Sequence, residues 1–192
     1  MNKIVGFALC GSFCTFKKVI PVMHSLVQNG YNVIPVMSFN AYSLDTRFGK
    51  AEDFIKEITD ICGKEIIHTL NGAEPIGPKK LLDALIIEPC TGNTLAKLAC
   101  GIADTPVTLA AKSHLRNGRP LIIAVSTNDA LAGAAKNIGA LHNYKNVYFV
   151  PYSQDDSENK PTSIVAHFGK TEETLEAALN GIQIQPVIET SL

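Results

Sequence analysis

Ala84–Asp104 reads ALIIEPCTGNTLAKLACGIAD, and its reading decides the fold. Ala84–Ile87 is a short apolar run of the kind that forms a strand buried on both faces of a parallel sheet. The stretch Pro89-Cys90-Thr91-Gly92-Asn93-Thr94 follows as a turn. After it, Leu95, Leu98, Ala99 and Ile102 fall at i, i+3, i+4 and i+7, which predicts a helix. Thr91, Asn93 and Thr94 therefore bring hydroxyl and amide groups to a helix N-terminus, where backbone N–H groups are free. Ligands of open α/β sheets bind outside the carboxyl ends of such strands. A well-capped strand–helix turn that binds nothing has the same local pattern.

The flanking sequence repeats the alternation. Lys3–Cys10 is a strand, ended by Gly11-Ser12, and Phe16, Val19, Ile20, Met23 and Val27 mark one face of a helix. Pro21 inside that pattern predicts a late start or a kink, and Gly30 closes the helix. Asn32–Met37 is the second strand, with Ser38 at its end, and 41–49 reads as loop. Ala51–Cys62 is helical, and Lys79–Leu82 forms one helical turn. Pro106 suits the first position of a helix over Val107–Asn117. Pro120–Val125 is a strand followed by Ser126-Thr127-Asn128-Asp129. A helix over Ala130–Leu141, a strand over Asn146–Val150 and a polar loop over Gln154–Pro161 come next. Thr171 caps a last helix over Thr171–Asn180, and the tail from Gln183 is extended. Strands alternating with helices predict a three-layer, Rossmann-like (flavodoxin-like) α/β fold, a parallel sheet flanked by helices, with residues 1–192 as one domain.

Composition narrows the function. With 46% hydrophobic residues the 192-residue chain can bury a substantial core. A net charge of −1 does not supply the basic surface that nucleic-acid binding needs. No apolar run approaches membrane-spanning length, and the run from Ile4 to Cys10 is short for a signal peptide. Five cysteines without repeated spacing do not read as a disulfide framework, which points to reduced thiols in the cytoplasm.

Four turns follow predicted parallel strands: Gly11-Ser12-Phe13, Ser38, the 89–94 turn and Ser126–Asp129. In a doubly wound sheet all four lie on one edge. They offer hydroxyls, amides and free N–H groups with few charges, which suits a phosphorylated, otherwise neutral cofactor. Gly11-Ser12 is a phosphate cradle in outline, although a plain tight turn has the same residues. Strand two does not end in the acidic residue that holds an adenosine ribose, so a mononucleotide such as FMN fits better than NAD.

Pro89, Asn93, Thr94, Lys97, Ala99, Gly101, Ile102 and Asp104 match the PASANTxxKxAxGIxD segment, and on these residues the chain resembles the homo-oligomeric flavin-containing cysteine decarboxylase family. The resemblance covers most of the chain and implies an FMN site. The flavin would be held by Thr91, Asn93 and Thr94, with Cys90 beside it, and its phosphate by Gly11 and Ser12; Phe13, Ser38, Pro89, Ser126 and Thr127 complete the implied cofactor-binding set. It also implies a homo-oligomer, a trimer or dodecamer, with flavin at an interface between copies. The variant PCTGNT, the run Asp104–Thr108 and Tyr148–Asp156 are similar to one branch of the family. There the flavoprotein is the B subunit of an oxidoreductase acting on the dihydro form of a pyridine dicarboxylate. That likeness implies a partner, the A subunit of such an enzyme, which carries the NAD(P) site, and a small dicarboxylate substrate.

Two departures bear on chemistry. The decarboxylases carry an essential histidine that falls near Pro75 here, and His68 is out of register with it. Their PxMNxxMW segment becomes Val125-Ser126-Thr127-Asn128-Asp129-Ala130-Leu131-Ala132, which keeps the asparagine and loses both methionines and the tryptophan. Cysteine decarboxylation is therefore not expected. Asn128, with Arg116 or Lys112 as candidate helpers, is left to hold a substrate carboxylate.

Overall fold

The computed structural model describes residues 3–190. Met1 and Asn2 of the predicted domain, and Ser191 and Leu192, lie outside the described residues. The strands are β1 (Ile4–Leu9), β2 (Asn32–Met37), β3 (Ala84–Cys90), β4 (Leu121–Thr127), β5 (Val147–Phe149), β6 (Tyr152–Ser153) and β7 (Ile164–Ala166). The helices are α1 (Phe16–Gln28), α2 (Phe39–Ser43), α3 (Ala51–Cys62), α4 (Leu70–Ala73), α5 (Gly92–Ala99), α6 (Pro106–Leu115), α7 (Ala135–His142) and α8 (Thr171–Leu179).

The sheet is parallel in the order β2-β1-β3-β4. Beyond β4 it divides. β5 pairs parallel with Leu121–Ile123, while β7 pairs antiparallel with Ser126 and Thr127 and carries β6 outside it. Helices α1, α3 and α8 pack on one face and α4 to α7 on the other. The parallel strands are covered on both faces, so Phe7, Leu9, Leu85, Ile86, Ile122 and Ile123 are all fully buried. This is the flavodoxin-like Rossmann arrangement predicted from the alternation of elements.

β1 leads through α1 to β2 on one side, and the chain then crosses back to place β3 on the other. The crevice outside the ends of β1 and β3 is thus the topological switch point, where open α/β sheets bind ligands. It is bordered by Gly11, which follows β1, and by Thr91, which follows β3.

Several local expectations change. α1 runs unbroken through Pro21, whose exposed side lets water serve the carbonyl that lacks an intrahelical donor. Residues 41–43, read as the start of a loop, belong to α2, which Ser38 caps by accepting the Ala41 N–H at 3.3 Å. Lys79–Leu82 is not helical; Lys80 has a positive φ and the chain there turns towards β3. β3 extends through Pro89 to Cys90, so the turn begins at Thr91, and Ile102 lies beyond the end of α5. Ser126 and Thr127 belong to β4, because β7 pairs with them. Residues 128–134 form turns, and α7 starts only at Ala135. Thr171 is the first residue of α8 rather than its cap, and its hydroxyl goes elsewhere. The extended tail is tied down: the Gln183 side chain brackets the Phe149 backbone at 2.7 and 2.8 Å, and Ile188 bridges to Tyr152.

Candidate functional site: a polar cradle at the switch point

Cys10, Gly11, Ser38, Phe39, Asn40, Thr91, Asn93, Thr94, Lys97 and Thr105 line a cavity of about 340 Å³ outside the ends of β1, β2 and β3. Its volume is at the low end of the range for small-molecule sites. Five predicted residues meet there: Gly11, Ser38, Thr91, Asn93 and Thr94.

Thr91 caps α5, accepting the Thr94 N–H at 3.3 Å and donating to Thr94 Oγ1 at 3.2 Å. Thr94 in turn donates to Cys10 Sγ at 3.2 Å. This chain locks the turn to the end of β1. Burial pushes the Cys10 thiol up to about 11, against the opposing effect of Thr94, and it raises the Cys90 thiol well above its ordinary value. Neither is a thiolate at neutral pH, so neither is a nucleophile. Asn93 differs from its neighbours: it is exposed, and among the described residues its side chain makes no hydrogen bond.

Gly92 opens α5 where no larger residue fits. A Cβ there would lie 2.6 Å from Asp129 Oδ1 and 2.8 Å from Thr127 Oγ1. Those two atoms are themselves bonded at 2.5 Å, so the end of β4 presses directly on the start of α5.

The remaining predicted residues surround the cavity without lining it. Ser12 and Ser126 share a hydrogen bond, and the Phe13 ring packs on Phe16 at 5.3 Å between centroids. Pro89 and Cys90 are buried within β3, and the Pro89 carbonyl accepts the Cys10 N–H at 3.3 Å. Asn128 is exposed; its backbone carbonyl accepts from Thr162 at 2.6 Å and its Oδ1 from Ser163 at 3.4 Å. Lys112 and Arg116 sit on the last turn of α6 and just beyond it, away from the Thr105 end that meets the cavity. His68 stacks flat on Tyr42 at 3.7 Å, and its Nδ1 lies 3.1 Å from the Ile66 carbonyl.

Asn40, Lys97 and Thr105 were not singled out as site residues by sequence reasoning. Lys97 is the only charged residue in the lining among the described residues. It pairs with Asp104 at 2.8 Å and holds that carboxylate below its ordinary range. Both belong to the quoted motif, and their spacing past the turn is the signal that could have placed Lys97 at the site. Thr105 caps α6 in a reciprocal box with Thr108.

Hydroxyls, one free amide, the N-terminal N–H groups of α5 and a single lysine are groups of the kind that meet a phosphorylated neutral ligand. The Flavoprotein family model matches residues 1–180. The chain belongs to the flavoprotein family. The B subunit of dipicolinate synthase from Bacillus subtilis (strain 168) is 44% identical over 187 residues, covering 97% of this chain and 94% of that protein. The crystal structure of the dipicolinate synthase B subunit from Bacillus halodurans C superposes with a TM-score of 0.91 at 43% identity, with full coverage of both chains. A UbiX structure in complex with FMN and dimethylallyl pyrophosphate reaches a TM-score of 0.62 at 18% identity, covering 79% of this chain and 78% of that one, a likeness of fold alone. In this flavoprotein the position near Pro75 falls in a 3-10 turn, Glu74–Ile76, with no histidine. No helix among the described residues is long and apolar enough to cross a membrane.

Proposed function

We propose that this chain is one FMN-binding flavoprotein domain and serves as the B subunit of dipicolinate synthase. With the enzyme's A subunit it would oxidise a dihydrodipicolinate-type precursor to pyridine-2,6-dicarboxylate in the mother cell of a sporulating bacterium. The observation that carries this reading is the polar cradle at the switch point of a chain 44% identical to a protein of that name.

The residues present fit a flavin mononucleotide. Gly11 lines the cradle with Ser12 next to it, the two residues that would meet the phosphate, and Lys97 offers a cation. Asn93 has donors and an acceptor to spare for a flavin ring or ribityl chain. Bound there, the flavin supplies the hydride-accepting chemistry that no side chain of this protein can. The chain's own residues hold and orient. The Thr91–Thr94–Cys10 chain fixes the cradle, and Asn128, anchored through Oδ1, presents its amide N–H groups towards a carboxylate. The A subunit would contribute the nicotinamide site. The low cavity volume also suits a site completed by a second copy in a trimer or dodecamer.

Absorbance of the purified protein, with mass spectrometry of the released cofactor, tests the flavin. A colourless protein that FMN does not saturate would overturn the cofactor assignment. Phosphopantothenoylcysteine and cysteine-terminated peptides should not be decarboxylated, because the histidine that the decarboxylases carry near Pro75 is absent.

A further inference from the structure

Glu88 is the residue before Pro89 in β3, and it is completely buried. Thr171 Oγ1, the first residue of α8, donates to its Oε2 at 2.6 Å. Its other oxygen, Oε1, is buried and has no hydrogen-bond partner among the described residues. A carboxylate with one donor and one bare oxygen in a dry interior is the arrangement that buried charges avoid. A neutral acid costs less there: Oε2 is the carbonyl oxygen that accepts from Thr171, and a proton on Oε1 removes the buried charge although it meets no acceptor among the described residues.

The surroundings supply no countercharge. β1, β4, α1, α6 and α8 pack on β3. β1 and β4 carry no charged side chain. On α1, Lys17, Lys18 and His24 are exposed, as are Glu173 and Glu176 on α8. Glu172 bonds to Asn29, and Lys170 pairs with Glu189. Lys112 and His114 belong to α6, on the opposite face of the sheet. None of these groups bonds to Glu88 among the described residues. Burial accordingly lifts its carboxyl to about 8, against the opposing effect of Thr171.

We propose that Glu88 is a positioning residue of the cofactor cradle, held as a neutral carboxylic acid that ties β3 to the start of α8, and that its ionisation loosens the Pro89–Thr94 stretch and its grip on a flavin. The flavin part rests on the function proposed above; the protonation of Glu88 does not. The sign follows from linkage: the folded protein keeps a proton that the unfolded chain releases near 4.5. Stability from this group is complete below that value and is lost as pH rises towards 8, the folding constant falling by at most ~10-fold per pH unit. Above that the loss levels off.

The experiment compares wild type and Glu88→Gln, which keeps the shape of the neutral acid. FMN affinity by fluorescence quenching and chemical unfolding are measured between pH 6 and 9. The expected result is equal FMN affinity at pH 6, with wild type weakening by up to about tenfold by pH 9 relative to the variant. The variant's stability should also be flatter with pH. Identical pH profiles would overturn the proposal, as would a Glu88→Gln protein that is already much weaker and less stable at pH 6. If neither protein binds FMN, the cofactor assignment fails alone, and the unfolding profiles still decide the state of Glu88. If the variant does not fold, infrared spectroscopy of wild type decides: a protonated-carboxyl band present at pH 6 and lost above pH 9 supports the proposal, and its absence at pH 6 overturns it.

Discussion

The hydroxyls of Ser12 and Ser126 meet at 2.9 Å, although 114 residues separate them in the chain. β3 lies between the strands they follow or end, so this bond spans the tip of β3 just above the cradle turn. It holds the β1 turn in place, and it also occupies part of the hydrogen-bonding capacity of Ser12. A phosphate bound at Gly11-Ser12 would have to share that hydroxyl or replace Ser126 as its partner.

This gives a differential prediction. Ser12→Ala removes a phosphate contact and should weaken FMN binding by ~1 kcal/mol or more, roughly fivefold upwards. Ser126→Ala leaves the Ser12 hydroxyl available and should change affinity less than Ser12→Ala does. Isothermal titration of both variants with FMN checks the order. Equal losses would mean that the pair, rather than Ser12 alone, is the contact.

Asn93 tests the other end of the cradle. Its side chain is exposed and makes no internal hydrogen bond among the described residues, whereas Thr91 already caps α5. Asn93→Ala should therefore leave the melting temperature nearly unchanged and cost ~1–3 kcal/mol of FMN binding, roughly 5- to 150-fold. Thr91→Ala should show the reverse emphasis, with a stability loss of ~1 kcal/mol from the missing cap. Thermal melts run beside flavin titrations separate the two. Unchanged affinity in Asn93→Ala would remove Asn93 from the site.

How far the sequence carried the fold follows from which interactions are local. β2 and α3 have their predicted bounds because apolar periodicity and terminal glycines are written within each segment. β6 and β7 were invisible: with two and three residues they have no period to read, and they exist because β7 finds the end of β4. The same pairing drew Ser126 and Thr127 into a strand. α7 was expected from Ala130, but contacts from Thr162 and Ser163 hold Asn128, and the chain turns there before the helix begins. Of the candidate site, Gly11, Ser38, Thr91, Asn93 and Thr94 were legible because the ends of parallel strands must converge. Asn40 and Thr105 enter only through α2 and the start of α6, elements whose placement depends on the assembled sheet. Thr171 looked like a helix cap because its partner, Glu88, lies 83 residues away.

His114 carries a prediction about acid stability. It is almost completely buried, with Nε2 3.0 Å from the Pro120 carbonyl, which fixes the neutral ring with its proton on Nε2. Burial, the dominant cause, drives its pKa down to about 4. The unfolded chain takes up this proton near 6.5, so stability is intact above that pH and falls as pH drops towards 4. The loss is at most ~1.4 kcal/mol per pH unit, on the order of 2–3 kcal/mol across the window. Glu88 has the opposite slope where the two ranges overlap, so the wild-type profile alone mixes both. The difference in urea stability between wild type and His114→Gln, followed from pH 7 to 4.5, isolates the histidine. The gap between them should change steadily over that range, and a constant gap would mean that His114 titrates alike in the folded and unfolded protein.

Asn128 and the proposed catalytic partner share the last prediction. Ser163 and Thr162 engage Asn128 through Oδ1 and the backbone carbonyl, leaving the side-chain N–H groups without an internal acceptor among the described residues. A substrate carboxylate could take them. Hydrogen bonds to a charged group contribute about 1.5–3 kcal/mol, so Asn128→Ala should lower the kcat/KM for dipicolinate formation by roughly 10- to 150-fold. The assay follows the absorbance of the aromatic product from a dihydrodipicolinate source, with the isolated A subunit, with this chain by itself and with both together. The expected pattern is little product from either alone, a clear gain from the pair, and most of that gain lost with Asn128→Ala while FMN content stays the same. The isolated partner matching the pair at every substrate concentration would show that this chain has no catalytic part in the enzyme. A gain that survives Asn128→Ala would keep the subunit role and place the dicarboxylate on other residues.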